Sequence, residues 1–200
     1  GGSMVDIGQA REEWLVKTGL AKVIVFDLDG TLVDSDYANF LAYEDAVTHV
    51  LSKHIKLDFS QSIRITRESL KELIPNITDK QLNDISSHKE RIYHKYLSKT
   101  KVNSKLIQII AQFQGKEFVL ATDSRRCRAE LLLNHHGLIG KFSRKIFRDD
   151  EDQRDKYARL MSEIPKERTP ILVFENDGVA IELAIACGIG IDQIIDVRRA

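Results

Sequence analysis

Residues 22–35 read Lys22-Val-Ile-Val-Phe-Asp-Leu-Asp-Gly-Thr-Leu-Val-Asp-Ser35, and this stretch decides the fold. Its apolar part, from Val23 to Phe26, is continuous rather than alternating. Such runs form strands covered on both faces in a parallel sheet. The run stops at Asp27 and is followed at once by Asp29, Gly30 and Thr31. Two later stretches repeat the pattern: Glu117-Phe-Val-Leu-Ala121 leads into Thr122-Asp123-Ser124, and Ile171-Leu-Val-Phe174 leads into Glu175-Asn176-Asp177. Residues 145–148 and 193–197 are weaker strand candidates.

Helical patterns separate these strands. Residues 104–114 carry Leu106, Ile107, Ile110 and Phe113 on one face and stop at Gly115. The spacing predicts further helices over 124–136, 155–163 and 179–187. The first ends at Gly137 and the last at Gly188. A helix over 5–19, with Trp14, Leu15 and Gly19 near its end, precedes the first strand. Strands alternating with helices imply an α/β fold with a doubly wound parallel sheet. Residues 36–103 break the alternation and read as all helix. Phe40, Tyr43, Val47, Val50 and Leu51 make one stripe, and Ile63, Leu70, Leu73 and Ile74 a second. A third helix opens on a capping box of Thr78 and Gln81 and continues through Leu82, Ile85, Ile92, Tyr93, Tyr96 and Leu97. The expected organisation is a core of 1–35 and 104–200 with a small helical insertion over 36–103.

The 200 residues suffice for one such domain with an insertion. A 42% hydrophobic share beside 30% charged residues fits a folded, soluble chain. The balanced net charge calls for neither a nucleic-acid nor a membrane partner. No apolar run is long enough to span a bilayer, and the start lacks a signal-peptide core. Cys127 and Cys187 form no CxxC pair and are expected to pack in helices, so a reducing cytosol is the simplest compartment. Gly1, Gly2 and Ser3 resemble a cloning scar before Met4.

Ligands of open parallel sheets bind beyond the carboxyl ends of the strands. Three neighbouring strand ends rich in Asp, Asn, Glu, Ser and Thr would gather oxygens in one crevice, and such a cluster suits a hard cation such as Mg²⁺. Ordinary strand-to-loop turns also favour these residues, which explains one run but not three aligned ones.

DLDGTLVDS at 27–35 is similar to the first motif of phosphatases of the haloacid dehalogenase-like (HAD) superfamily. Fixing Asp27, Asp29, Gly30, Thr31 and Asp34 leaves roughly one chance match per million windows. Thr122 matches the second motif, a Thr or Ser ending an apolar strand. The third is a lysine near a helix start, and Lys156 is chosen over Lys145 and Lys166. VFENDGVAIELAIACG at 173–188 resembles the fourth motif of the β-phosphoglucomutase and phosphoglycolate phosphatase branch, and residues 36–103 resemble that branch's helical cap. The resemblance implies that Asp27 attacks phosphorus and that Asp29 protonates the leaving oxygen and then activates water. Thr122 and Lys156 would complete the catalytic set. Gly30, Thr31, Asp123 and Ser124 would line the phosphate site. Asp27, Asp29, Glu175 and Asn176 would hold Mg²⁺.

Two departures stand out. Asn176 replaces the usual fourth-motif Asp and brings no charge, which predicts weaker metal binding or a larger share for Glu175 or Asp177. The lysine region lacks the usual Lys-Pro. The second motif-one aspartate, Asp29, argues for phosphoryl chemistry over dehalogenation, and Asn39 stands where mutases of the branch carry His. The expectation is a phosphomonoesterase acting on a small organic or sugar phosphate, in the cytoplasm. The alternative is a low-activity regulatory or interaction protein on the same fold. A nucleotide-binding Rossmann protein is set aside, since no GxGxxG or GxxxxGK follows a strand. Arg64, Arg67 and Lys71 read as a solvated face, as do Arg125 and Arg126. His135 and His136 read as structural, with a cationic ring favoured at a helix end.

Overall fold

The computed structural model describes residues 4–59, 65–164 and 170–199, with residues 4–11 described by their backbone alone. Ile63, Arg64, Lys166 and the leading Gly1, Gly2 and Ser3 lie outside the described residues. In chain order the elements are α1 (Met4–Leu20), β1 (Val23–Phe26), β2 (Val33–Asp34), α2 (Asp36–Leu51), α3 (Arg67–Leu73) and α4 (Asp79–Ile92). A 3-10 helix (Tyr93–Lys99) and β3 (Lys101–Val102) follow, then α5 (Ser104–Gln112), β4 (Glu117–Arg125), α6 (Arg126–His135) and β5 (Arg144–Arg148). The chain ends with α7 (Lys156–Glu163), β6 (Ile171–Glu175), α8 (Gly178–Ala186) and β7 (Ile194–Asp196). It divides into two compact units, Gly1–Val33 with Val102–Ala200, and Asp34–Lys101.

The first unit is the expected α/β fold. Its sheet has the order β5-β4-β1-β6-β7, and each neighbouring pair is parallel. Alternate residues of the central strands face opposite layers. On one side Val23, Val25, Val119, Ala121 and Val173 pack with Tyr157 and Leu160 of α7 and with Ala180 and Ala184 of α8. On the other side the Phe26 ring stacks on Phe174 at 5.3 Å, and Trp14 of α1 meets Phe174 edge-on at 5.4 Å. Helix α1 is therefore part of the core. Lys17 Nζ also ties it to the Asp192 carbonyl at 2.8 Å.

Several local expectations change: the third helix of the insertion ends at Ile92, Tyr93, Tyr96 and Leu97 lie on a 3-10 helix, and 101–102 form a short strand. Strand β4 runs on to Arg125, so α6 opens at Arg126 rather than at 124. The backbone stays extended through an irregularity between Ala121 and Arg125, where Arg125 pairs with Arg148. The helical reading of 124–125 rested on periodicity and could not see this pairing. In the second unit Leu70 and Ile74 are buried, but Leu73 is exposed, because the short α3 ends there with that side outward.

The second unit has its own core of Phe40, Tyr43, Val47, Leu70, Leu82 and Ile85. The capping box of Thr78 and Gln81 opens α4, and Tyr96 Oη donates to Asp45 at 2.6 Å. Asn39 is buried here and donates to the Ile65 carbonyl at 3.4 Å. Arg67 reaches Asn83 at 2.6 Å and Lys71 lies beside Glu68, both on the surface. Among the described residues, no helix is long and apolar enough to cross a membrane.

Candidate active site

Strand register brings the acidic ends together. Phe26 of β1 lies level with Leu120 of β4 and with Phe174 of β6. The residues that follow, Asp27, Ala121-Thr122 and Glu175, therefore emerge side by side at the carboxyl edge of the sheet. The Asp27 amide still donates to the Phe174 carbonyl at 3.0 Å, which fixes where its side chain starts.

A buried ion cluster forms the floor. Asp155 caps α7 by accepting from the amides of Tyr157 and Ala158, which places Lys156 at the first helical position. The Lys156 side chain is only 4% exposed, and its Nζ lies 2.8 Å from Asp27 Oδ1 and 2.8 Å from Glu175 Oε1. Tyr157 Oη donates to the same Glu175 oxygen at 2.7 Å. The other oxygen, Oε2, accepts from the backbone amides of Asn176 and Asp177 at 2.8 and 3.1 Å. Glu175, expected as a metal ligand, thus spends both oxygens on holding Lys156 and the strand end in place. Burial, together with the neighbouring Glu175 and Asp29 charges, pushes the Asp27 carboxyl up to about 7 although Lys156 pulls it down. Burial alone would lower the Lys156 ammonium, but Asp27 and Glu175 outweigh it and hold its pKa above the ordinary lysine value.

A second pair lies on the other side of Asp27. Arg128 forks the Asp29 carboxylate, with Nη2 on Oδ1 at 2.6 Å and Nη1 on Oδ2 at 2.9 Å. Both side chains are 11% exposed. Ser124 Oγ donates to Oδ2 at 2.7 Å and accepts from Arg128 at 2.6 Å. Such planar two-point pairing is the strongest geometry open to a carboxylate. Thr31 Oγ1 donates to Asp27 Oδ2 at 3.0 Å. Thr122 is buried and accepts from the Ser124 amide at 3.0 Å, with its own O–H left to point at a ligand oxygen.

The carboxamide of Asn176 enters between these groups. One end lies 2.7 Å from Asp27 Oδ2, 3.1 Å from the Asp29 carbonyl, 3.2 Å from Glu175 Oε2 and 3.3 Å from Thr31 Oγ1. Three of these four are pure acceptors, so hydrogen bonding turns the amide nitrogen toward them. Gly30 makes the approach possible. Its φ is +80°, and a Cβ there would collide with the Asn176 carboxamide.

The structure brings together Asp27, Asp29, Gly30, Thr31, Thr122, Ser124, Lys156, Glu175 and Asn176. Asp123 is exposed and lines a polar cavity of about 270 Å³ together with Lys156, Arg148, Asp150, Asp152 and Arg154. Lys145 points instead to the Ile139 carbonyl, and Asp177 caps α8 through the Ala180 amide. Arg128 and Tyr157 were missed in the sequence. Arg125 and Arg126 drew attention there, yet they pair with Asp150 and Glu130 on the surface. Arg128 lies four residues after Ser124, and in the helix expected from 124 that spacing would have set the two on one face, which was the available signal. Cys127 is exposed rather than packed in a helix interface, because α6 turns it away from the sheet. His136 also departs from expectation: burial and the adjacent His135 lower its pKa, favouring a neutral ring.

A family model described as haloacid dehalogenase-like hydrolase matches residues 21–187. The chain is 24% identical over 185 residues to the fructose-1-phosphate phosphatase YqaB of Escherichia coli (strain K12), an alignment spanning 88% of this chain and 95% of that protein. The structure of a HAD-superfamily hydrolase, subfamily IA, variant 1, from Geobacter sulfurreducens superposes with a TM-score of 0.65 at 16% identity, covering 84% of each chain. CbbY from Rhodobacter sphaeroides, solved in complex with phosphate, gives a TM-score of 0.65 at 16% identity over 84% of this chain and 83% of that one. At such identities the two structures establish a common fold.

Proposed function

The chain belongs to the haloacid dehalogenase-like hydrolase family, and from that premise we propose a magnesium-dependent phosphatase that cleaves a small organic or sugar phosphate through an aspartyl-phosphate on Asp27. The observation that carries this reading is the buried contact of Asp27 with Lys156, beside a second carboxylate, Asp29, at the same sheet edge. The likeness to a fructose-1-phosphate phosphatase supports a sugar phosphate as the substrate class.

The donor set fits Mg²⁺. Asp27 Oδ2, the Asp29 carbonyl and the Asn176 amide oxygen would hold it, one carboxylate and two neutral oxygens. Mg²⁺ commonly takes one or two carboxylates and completes its shell with water and substrate phosphate. Bound there, Mg²⁺ would offset the repulsion between carboxylate and phosphate and favour ionised Asp27.

The protein groups divide the rest. Lys156 orients Asp27 through Oδ1 and neutralises charge beside it. Thr122 offers a hydroxyl donor to the phosphoryl oxygens, and Ser124 can add its own once released from Asp29. An Asp27 oxygen attacks phosphorus, the ester P–O bond breaks, and the leaving oxygen takes a proton from Asp29. Water then attacks phosphorus as Asp29 accepts its proton, and the Asp27–phosphorus bond breaks to release phosphate. Both Asp29 oxygens are engaged by Arg128 and Ser124, so the fork must open on one side, and Asp29 take up a proton from solvent, before it acts as the acid. We place residues 36–103 as the cap that selects the substrate, and the free thiols of Cys127 and Cys187 favour a reducing compartment such as the cytoplasm.

The same fork supports a second reading, a low-turnover regulatory protein whose acid/base is held inactive. Hydrolysis of p-nitrophenyl phosphate and a panel of sugar phosphates, with Mg²⁺ or EDTA, separates the two. Magnesium-dependent turnover that falls at least about 10⁴-fold in Asp27→Asn is expected. Turnover surviving in that variant would remove Asp27 from its role, and no turnover across the panel would favour the regulatory reading.

A further inference from the structure

We propose that the Asn176 carboxamide is an internal stand-in for the divalent cation, its nitrogen facing the site's oxygens when the cation is absent and its oxygen turning in as a ligand when the cation binds. The inference rests on the magnesium reading of this site. The two ends of a carboxamide have nearly the same shape, so a half-turn about the last side-chain bond exchanges them within the same space. With nitrogen inward, the NH₂ donates toward Asp27 Oδ2 at 2.7 Å and the Asp29 carbonyl at 3.1 Å, with Glu175 Oε2 and Thr31 Oγ1 at 3.2 and 3.3 Å. With oxygen inward, the same spacings set an oxygen beside three acceptors, an arrangement that needs a cation. They are also close to the roughly 2.9 Å that separates adjacent oxygens around Mg²⁺.

An aspartate at 176 could do only the second job. Without a cation it would set a further carboxylate against Asp27 and Glu175, whose shared positive partner is Lys156. The amide satisfies the oxygens in both states, so the metal-free site is ordered rather than repulsive. The cation must displace a fitted hydrogen-bonding group and gains one charge fewer from the protein. The arrangement trades metal affinity for stability without metal, and it makes occupancy depend on the free Mg²⁺ concentration.

The test compares wild type with Asn176→Asp in two measurements that need no turnover. Mg²⁺ titration by calorimetry should show at least about tenfold tighter binding in the variant, since ligand charge tunes affinity over orders of magnitude. Thermal unfolding in EDTA should show the variant melting several degrees below wild type, and saturating Mg²⁺ should raise the variant's Tm by more than it raises that of wild type. If the variant does not fold, wild type alone still decides. Its Asn176 side-chain NH₂ resonances, identified by their loss in Asn176→Ser, should be protected from exchange in EDTA and should shift on adding Mg²⁺. Equal Mg²⁺ affinity and equal metal-free stability in the two proteins overturn the stand-in while leaving the magnesium site intact. An NH₂ signal unmoved by Mg²⁺ that calorimetry shows to be bound overturns it equally. Failure of wild type and folded variant alike to bind Mg²⁺ overturns both the stand-in and the magnesium reading.

Discussion

Replacing Lys156 by Met removes one charge from the floor of the site and keeps most of the side-chain volume. Lys156 Nζ lies 2.8 Å from each of two buried carboxylates, and its side chain is 4% exposed. Without it, Asp27 and Glu175 face each other with no cation between them. Breaking a buried pair in this way costs about 3–5 kcal/mol. For a chain of this size each kcal/mol lowers Tm by about 2–4 °C, so a drop of about 6–20 °C is expected. The loss depends on pH, and its sign follows from Asp27. Its pKa is already raised to about 7 in the folded protein by burial, and removing Lys156 raises it further. The folded variant then holds a proton that the unfolded chain releases above about pH 4. Stability of the variant therefore falls as pH rises, by up to about 1.4 kcal/mol per unit, until the new folded pKa is passed. Thermal unfolding by circular dichroism at pH 5.5, 7 and 8.5 measures this directly. A gap between variant and wild type that is wider at pH 8.5 than at 5.5 is the expected result. A variant within about 1 kcal/mol of wild type at every pH would refute a charge-bearing role for Lys156 in the buried cluster.

Arg128→Ala should free Asp29 from its two-point contact. The expected result is a changed pH–rate profile with KM less affected than kcat, and an unchanged profile would remove Arg128 from the positioning of Asp29. Tyr157→Phe deletes a 2.7 Å bond to a buried carboxylate and should cost about 1.5–3 kcal/mol in chemical denaturation, whereas a cost near zero would mean that Glu175 has found another donor. His88 stacks on His49 at 4.0 Å, and burial, His49 and Arg91 lower its pKa, with Asp45 opposing. Its folded pKa lies below the unfolded 6.5, so its contribution is intact above that pH and is lost as pH falls through it. His88→Gln should flatten the decline of Tm between pH 7 and pH 5, and an unchanged slope would place the acid sensitivity elsewhere.

The sequence by itself determined the fold class and the composition of the site. Continuous apolar runs ending in Asp27, Thr122 and Glu175, alternating with helical patterns, fit doubly covered parallel strands, and the carboxyl edge of such a sheet is where ligands bind. The resemblance to the third family motif picked out Lys156, and Asp155, as N-cap, fixes it in the first turn of α7. Tertiary structure decided how those residues divide the work. Glu175 became the holder of Lys156 because Tyr157 reaches one of its oxygens from α7, while the two backbone amides that follow it fix the other. Arg128 was hidden among three neighbouring arginines, and only the course of β4 to Arg125 turned it inward while its neighbours met Asp150 and Glu130. Asn176 reads in the sequence as a missing charge. Only beside Gly30, where no Cβ stands in the way, does its amide become a group that can replace that charge. Residue type and spacing specify which atoms are available, while hydrogen bonds between distant segments fix which of them remain free to react.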